Sequence, residues 1–187
     1  MPIIALPPLL VELPRSPILA VGIPIVLGSL SGFPTLKVAA SSWYNGLKAP
    51  PGRPPRQVFA FVWPVLYAAM GYASHIAVRS LDNSLSPVTK QAAADGLALY
   101  WGQLALNLAW TPIFFGLKNR LVGLIDLSAL TGAAYYMTYK LHEATEGKTT
   151  YFLGPYCAWL TFALYLNGGV WYMNRNYELK GKGKADV

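Results

Sequence analysis

Gln103, Asn107 and Trp110 bring hydrogen-bonding groups into WGQLALNLAWTPIFFG, an otherwise apolar stretch. They are spaced by four and then three residues, with Phe114 four further on, so at 3.6 residues per turn they share one helix face. Polar groups in hydrocarbon are costly unless bonded, and that face must therefore meet protein or a cavity. Two uses are open for it: hydrogen bonds that glue helices together, or a pocket wall whose amides orient a ligand. Pro112 leaves the Leu108 carbonyl without its helical donor, which predicts a kink nearby.

Two other stretches repeat the pattern. Trp63, Tyr67, Met70 and Ser74 fall at i, i+4, i+7 and i+11; Trp159, Ala163 and Leu166 align further on, with Phe162 alongside and Asn167 next to Leu166. One aromatic stripe reads as core. Three stripes that each pair a Trp with a small or polar neighbour point to an aromatic-lined cavity between helices. Asp126 is the one acid inside an apolar run, either a helix-to-helix hydrogen bond with a Ser or Tyr or a relay. His75 and His142 lack metal-ligand spacing and read as interfacial, and Cys157 reads as a small buried hydrophobe. No metal site, nucleophile motif, phosphate-binding glycine loop or acid pair suited to hydrolysis is present.

These residues need a scaffold. Of 187 residues, 54% are hydrophobic and 12% charged, about half the charge of an average soluble domain. That is too little to coat a water-facing surface, and an all-α integral membrane protein follows. Five stretches have the roughly 20 apolar residues a span requires: 16–34, 57–78, 92–117, 121–139 and 151–174. The expectation is a five-transmembrane-helix bundle over 16–175, an irregular proline-containing extension over 1–15, a long loop over 37–56 and a disordered tail over 176–187. Within the loop, SSWYNG permits a short helical turn capped by Ser41 or Ser42. A loop of this length suits a lid.

The charges give an orientation. Lys37, Lys48, Arg53, Arg56, Lys118, Arg120, Arg175, Lys180, Lys182 and Lys184 fall on one side of such a bundle. Arg15, Arg79, Lys90, Lys140 and Lys148 fall on the other. The bias puts the long loop and the C-terminus in the cytoplasm. The net charge of +7 is thus mainly a topology signal and implies no nucleic acid. Small-residue pairs, Gly28 with Gly32, Ala98 with Gly102 and Ser128 with Gly132, allow close helix contacts. They serve either packing within the chain or a homodimer face, the third span being the first choice.

WYNGLKAPPGRPP, VWPVLYAAMGY, GQLALNLAWTPIFFG, LIDLSALTGAA and PYCAWLTFALYLN together resemble the translocator protein family, also called tryptophan-rich sensory proteins or peripheral-type benzodiazepine receptors. The likeness covers about 42–171. It implies a five-helix membrane bundle, often dimeric, with a ligand cavity closed by the first loop. It further implies binding of porphyrins including haem, of sterols such as cholesterol, and of synthetic isoquinoline or benzodiazepine ligands. No cofactor is obligatory; porphyrin or haem is the expected ligand. Eukaryotic members occupy the outer mitochondrial membrane, and plant members the endoplasmic reticulum and secretory pathway. By position, Trp63 and Trp159 match tryptophans facing bound porphyrin, and Tyr44 matches a loop tyrosine near the pocket. Ala60, Val62, Asn107, Trp110, Ala163 and Leu166 match pocket-lining positions. The chain departs from the family where Gly52 replaces a loop tryptophan, and where Gly168 and Tyr172 replace the animal sterol motif's tyrosine and arginine. A shifted sterol match runs from Leu166 through Tyr172 to Arg175.

Three functions are therefore expected in order. The first is a binding protein in which a flat lipophile sits among Trp63, Trp110 and Trp159, with Gln103, Asn107 and Tyr44 at its polar edge and Arg53 and Arg56 near its carboxylates. The second is a light-dependent porphyrin-degrading enzyme with Trp63 and Trp159 as the reactive pair. The third is a sterol transporter, although no inverted repeat is visible.

Overall fold

Helix starts follow local chemistry. Ser16 caps one helix by accepting from Leu19 N at 3.4 Å, Ser86 another from Thr89 N at 3.4 Å, and Asn119 a third from Val122 N at 3.0 Å. Pro17 and Pro87 follow two of these caps, at the first position where a missing N–H costs nothing. The computed structural model describes residues 6–182, with side chains through 175. Its helices are α1 (Pro8–Glu12), α2 (Pro17–Gly32), α3 (Thr35–Ala39), α4 (Ser42–Asn45), α5 (Arg56–Asn83), α6 (Pro87–Thr111), α7 (Arg120–Ala144) and α8 (Thr150–Lys182). No strand occurs among the described residues.

The long helices pack with α5 against α2, α6 and α8, and with α7 against α6 and α8. Alone, α5 and α7 are long and apolar enough to cross a membrane; α2 joins them if counted with the segment before it, from which it turns by 109°. The apolarity of α6 is diluted by Lys90, Asp95, Gln103 and Asn107.

Of the 1–15 extension, residues 1–5 lie outside the described residues, and the described part is less irregular than expected. It holds α1 and a 3-10 turn at Leu13–Arg15, and it is strapped to the bundle. Trp101 Nε1 donates to the Leu10 carbonyl at 2.8 Å, His75 Nδ1 lies 2.8 Å from the Pro14 carbonyl, and Arg15 pairs with Asp82 at 2.9 Å. At the other end α8 continues to Lys182, into the tail expected to be disordered, while 183–187 fall outside the described residues. Pro155 sits inside α8.

The kink expected at Pro112 takes the form of a π-type turn, Pro112–Gly116, that ends the third run. The Leu108 carbonyl, stripped of its helical donor by Pro112, accepts instead from Ser31 Oγ of α2 at 2.9 Å. Within the first loop, α4 forms at the SSWYNG stretch with Ser41 as its cap.

One half of the bundle is solid. Met70, Ala73, Ala77, Leu97, Leu104, Met137, Leu141, Leu153 and Leu160 are buried together. The half beneath the first loop is open.

Candidate functional site

The floor of the open half is a chain of hydrogen bonds across three helices. The Tyr67 hydroxyl of α5 donates to Asn107 Oδ1 of α6 at 2.6 Å. Asn107 Nδ2 donates to the Tyr156 hydroxyl of α8 at 3.2 Å, and that hydroxyl donates to Gln103 Oε1 at 2.6 Å. Gln103 Nε2 donates to the Tyr100 carbonyl at 3.2 Å and lies 3.5 Å from Met70 Sδ. The polar stripe of α6 is therefore largely satisfied by protein, as buried amides require.

Above this floor lies a cavity of about 540 Å³, within the range usual for small-molecule sites. Its walls are mostly apolar and aromatic: Phe59, Trp63 and Tyr67 of α5, Trp110 of α6, Phe114 and Phe115 of the π turn, and Ala163, Leu166 and Val170 of α8. Trp63 lies 5.7 Å from the Tyr67 ring, centroid to centroid, and Trp110 stacks on Phe114 at 4.9 Å. Gly28 of α2 closes one side, where an added Cβ would collide with the Tyr67 ring.

The first loop roofs the cavity. Tyr44 packs its ring 5.4 Å from Phe115. The Arg53 guanidinium lies 4.4 Å from the Tyr44 ring centroid and that of Arg56 lies 5.9 Å from it, both within cation–π reach. Arg56 also donates to Asn45 Oδ1. Two cations thus stand on one aromatic ring at a mainly apolar chamber. The arrangement suits a flat lipophile with an acidic edge.

The sequence matches the model of the TspO/MBR family over residues 20–173. The chain belongs to the TspO/MBR family. It is 40% identical over 136 residues to the "Translocator protein" of Homo sapiens, which covers 73% of this chain and 77% of that protein. It is 37% identical over 131 residues to the "Translocator protein homolog" of Schizosaccharomyces pombe, with 70% and 77% covered. A "Tryptophan-rich protein TspO" of Archaeoglobus fulgidus is 33% identical over 151 residues, with 80% and 91% covered.

In this TspO/MBR chain, Tyr44, Ala60, Trp63, Asn107, Trp110, Ala163 and Leu166 all line the one cavity. Val62, Gln103 and Trp159 do not. Val62 packs on the core, and Gln103 is fully buried in the network below. Trp159 wedges between α5 and α8 beside Phe59 at 5.6 Å, and its Nε1 is buried without a partner. Of the pair Trp63 and Trp159, Trp63 lines the cavity and Trp159 lies behind the lining residue Phe59. Leu166 faces the cavity whereas Tyr172 is exposed, with Arg175 stacked on it at 4.2 Å, so the shifted sterol motif is not gathered at one place. Asp126 Oδ2 is buried with no hydrogen-bond partner, without the expected bond to a Ser or Tyr at that atom. His142 Nδ1 lies 2.8 Å from Thr150 Oγ1, and no group of three metal-ligating side chains occurs among the described residues.

Sequence reasoning passed over Phe59, Tyr156 and the α2 wall. The stripe Tyr156, Leu160, Ala163, Asn167 has the same helical spacing as the stripe built on Trp159. Tyr156 and Leu160 are fully buried whereas Trp159 is only partly so. The tryptophan drew the reading to a face rotated by one residue.

Proposed function

We propose that this chain is a five-span membrane protein that binds porphyrins, haem and protoporphyrin among them, and related flat lipophiles including sterols. The single observation that supports it most is the aromatic cavity of about 540 Å³ beneath a roof that carries Arg53 of the first loop and Arg56 at the start of α5. Trp63, Trp110 and Phe114 supply faces for stacking and apolar burial. The two arginines meet carboxylates at the roof, where charge-assisted hydrogen bonds are strong. The cation bias supports a cytoplasmic first loop and C-terminus. The proposed membrane is the outer mitochondrial membrane, with the secretory pathway as the alternative; fractionation decides between them. A homodimer is proposed through α6, where the face at Gly102 has nothing within 4 Å of an added Cβ; cross-linking of Gly102→Leu reads its loss.

The test is a titration of tryptophan fluorescence in detergent with protoporphyrin IX and with its dimethyl ester. Saturable quenching is expected, tighter for the diacid. Replacement of Arg53 and Arg56 by Gln should abolish that preference and leave ester binding intact. Quenching that never saturates, or an unaltered preference in the double variant, would count against the reading.

A further inference from the structure

The two ends of the bundle differ in charge. At the end away from the first loop, Arg15, Arg79, Lys90, Lys140 and Lys148 stand among Glu12, Asp82, Asp95, Glu143 and Glu146. These charges cancel, so the net charge of +7 resides in the rest of the chain. The loop end carries the cations of 37–56 and 118–120 together with Arg175, and no Asp or Glu occurs in 37–56, 118–120 or 166–175. The next acid along α7, Asp126, lies about 9 Å beyond Arg120 at the rise of a helix. Membrane orientation does not require this. The bias that sets topology counts Lys and Arg, and acids contribute little to it. An end cleared of acids is a separate feature, and it leaves the cations available to an outside anion.

The contacts agree. At the acid-bearing end Arg15 pairs with Asp82 at 2.9 Å and Lys148 with Glu146 at 3.6 Å. Lys140 there lies on the Tyr136 and Tyr139 rings, with Glu143 one turn along. At the loop end Lys118 Nζ is 5.6 Å from the Trp43 ring centroid, and the Arg175 guanidinium is 4.2 Å from that of Tyr172. A ring holds a cation in place without neutralising it. Lys37 and Lys48 are exposed, and the grip of Asn174 on the Lys48 backbone brings that lysine beside Arg175. Arg120 is buried and takes no part.

Large apolar side chains stand open next to these cations. Leu36 is 64% exposed and directly precedes Lys37; Leu117 is 75% exposed and directly precedes Lys118. Phe33, 73% exposed, lies one turn before Leu36, and α3 packs on the π turn. Each pair sets an apolar side chain and a cation at one level, which is the arrangement of the boundary between acyl chains and headgroups. An acidic protein would meet the cations and leave the leucines in water.

We propose that the loop end is a docking surface for anionic phospholipid headgroups, held by Lys37, Lys48, Lys118 and Arg175, with Leu36 and Leu117 in the adjoining hydrocarbon. A cation near an anionic headgroup is favoured by about fivefold. Arg53 and Arg56 stay with the cavity roof, and the surface does not depend on what the cavity binds.

The test is electron paramagnetic resonance of the whole chain in phosphatidylcholine bilayers, with spin-labelled phosphatidylserine or spin-labelled phosphatidylcholine as the probe of protein-bound lipid. Wild type should favour phosphatidylserine by about fivefold or more. Replacing Lys37, Lys48, Lys118 and Arg175 by Gln should bring the two probes within about twofold. Lys37→Arg with Lys48→Arg and Lys118→Arg should keep the preference, which separates charge from folding. Replacing Arg79, Lys90, Lys140 and Lys148 by Gln at the other end should keep it as well. A wild type without preference, a preference that survives in the loop-end Gln variant, or an equal loss in the other-end variant overturns the proposal. Capture of a fluorescent hexaglutamate peptide by a wild type that ignores phosphatidylserine assigns the surface to an acidic protein and overturns it too.

Discussion

Asn174 grips the backbone of Lys48 with both atoms of its amide: Oδ1 accepts from Lys48 N at 3.1 Å and Nδ2 donates to its carbonyl at 2.8 Å. This couples the roof loop to the last helix across 126 positions of sequence. Nearby the Tyr165 hydroxyl donates to the Pro51 carbonyl at 3.2 Å, and Pro50 sits where a Cβ on Gly169 would lie. Asn174→Leu removes the two-point clasp. Amide hydrogen exchange across the 46–54 segment should rise, and porphyrin should dissociate about tenfold faster. Unaltered exchange and dissociation would show that the roof is held elsewhere.

The floor network makes a different prediction. Asn107→Leu leaves the Tyr67 hydroxyl without its acceptor and the Tyr156 hydroxyl without a donor. A buried polar group so abandoned costs about 1–3 kcal/mol. Denaturant unfolding in detergent should register that loss. A neutral result would mean that the hydroxyls find other partners.

Gly71 lets the backbones of α5 and α2 meet. A Cβ there would run into the carbonyl of Ala20, a backbone atom of α2 with no side-chain freedom to yield. Gly71→Ala should cost about 1–3 kcal/mol as α2 is pushed away from α5. Gly154→Ala, where nothing lies within 4 Å, should leave the fold unaffected. Equal unfolding midpoints for the two variants would refute the contact.

Two tryptophans that look alike in sequence should behave differently. Trp63→Leu removes a cavity wall, and porphyrin affinity should fall about tenfold or more. Trp159→Phe alters packing behind Phe59 and should change affinity by less than about threefold. Matching losses would mean that the ring bound in solution reaches Trp159.

Much of this was legible in the residues. Serine and asparagine caps, the helical turn at Ser41 and the freed Leu108 carbonyl follow from local chemistry, and the family motifs fixed the order of the long helices. The stripe on α6 was legible as a face, but not which neighbour would claim it. Tyr156 supplies the hydroxyl that joins Asn107 to Gln103, and its role depends on how α8 is rotated about its axis. That rotation puts Leu160 inward and Trp159 aside, a choice made by packing against α5 and α7. Tyr172 and Arg175 illustrate the same limit: the sterol pattern counts residues along the chain, whereas α8 turns Leu166 inward and Tyr172 outward. The clasp between Asn174 and Lys48 joins positions that no local rule connects.

The most direct measurement fills the chamber. Ala163 lines the cavity from α8, and Ala163→Phe would occupy the space a flat ligand needs. In a protoporphyrin IX titration followed by tryptophan quenching, the folded variant should lose saturable binding, with affinity down by about a hundredfold. Affinity equal to wild type in a variant of unchanged helix content would contradict a binding site between these helices.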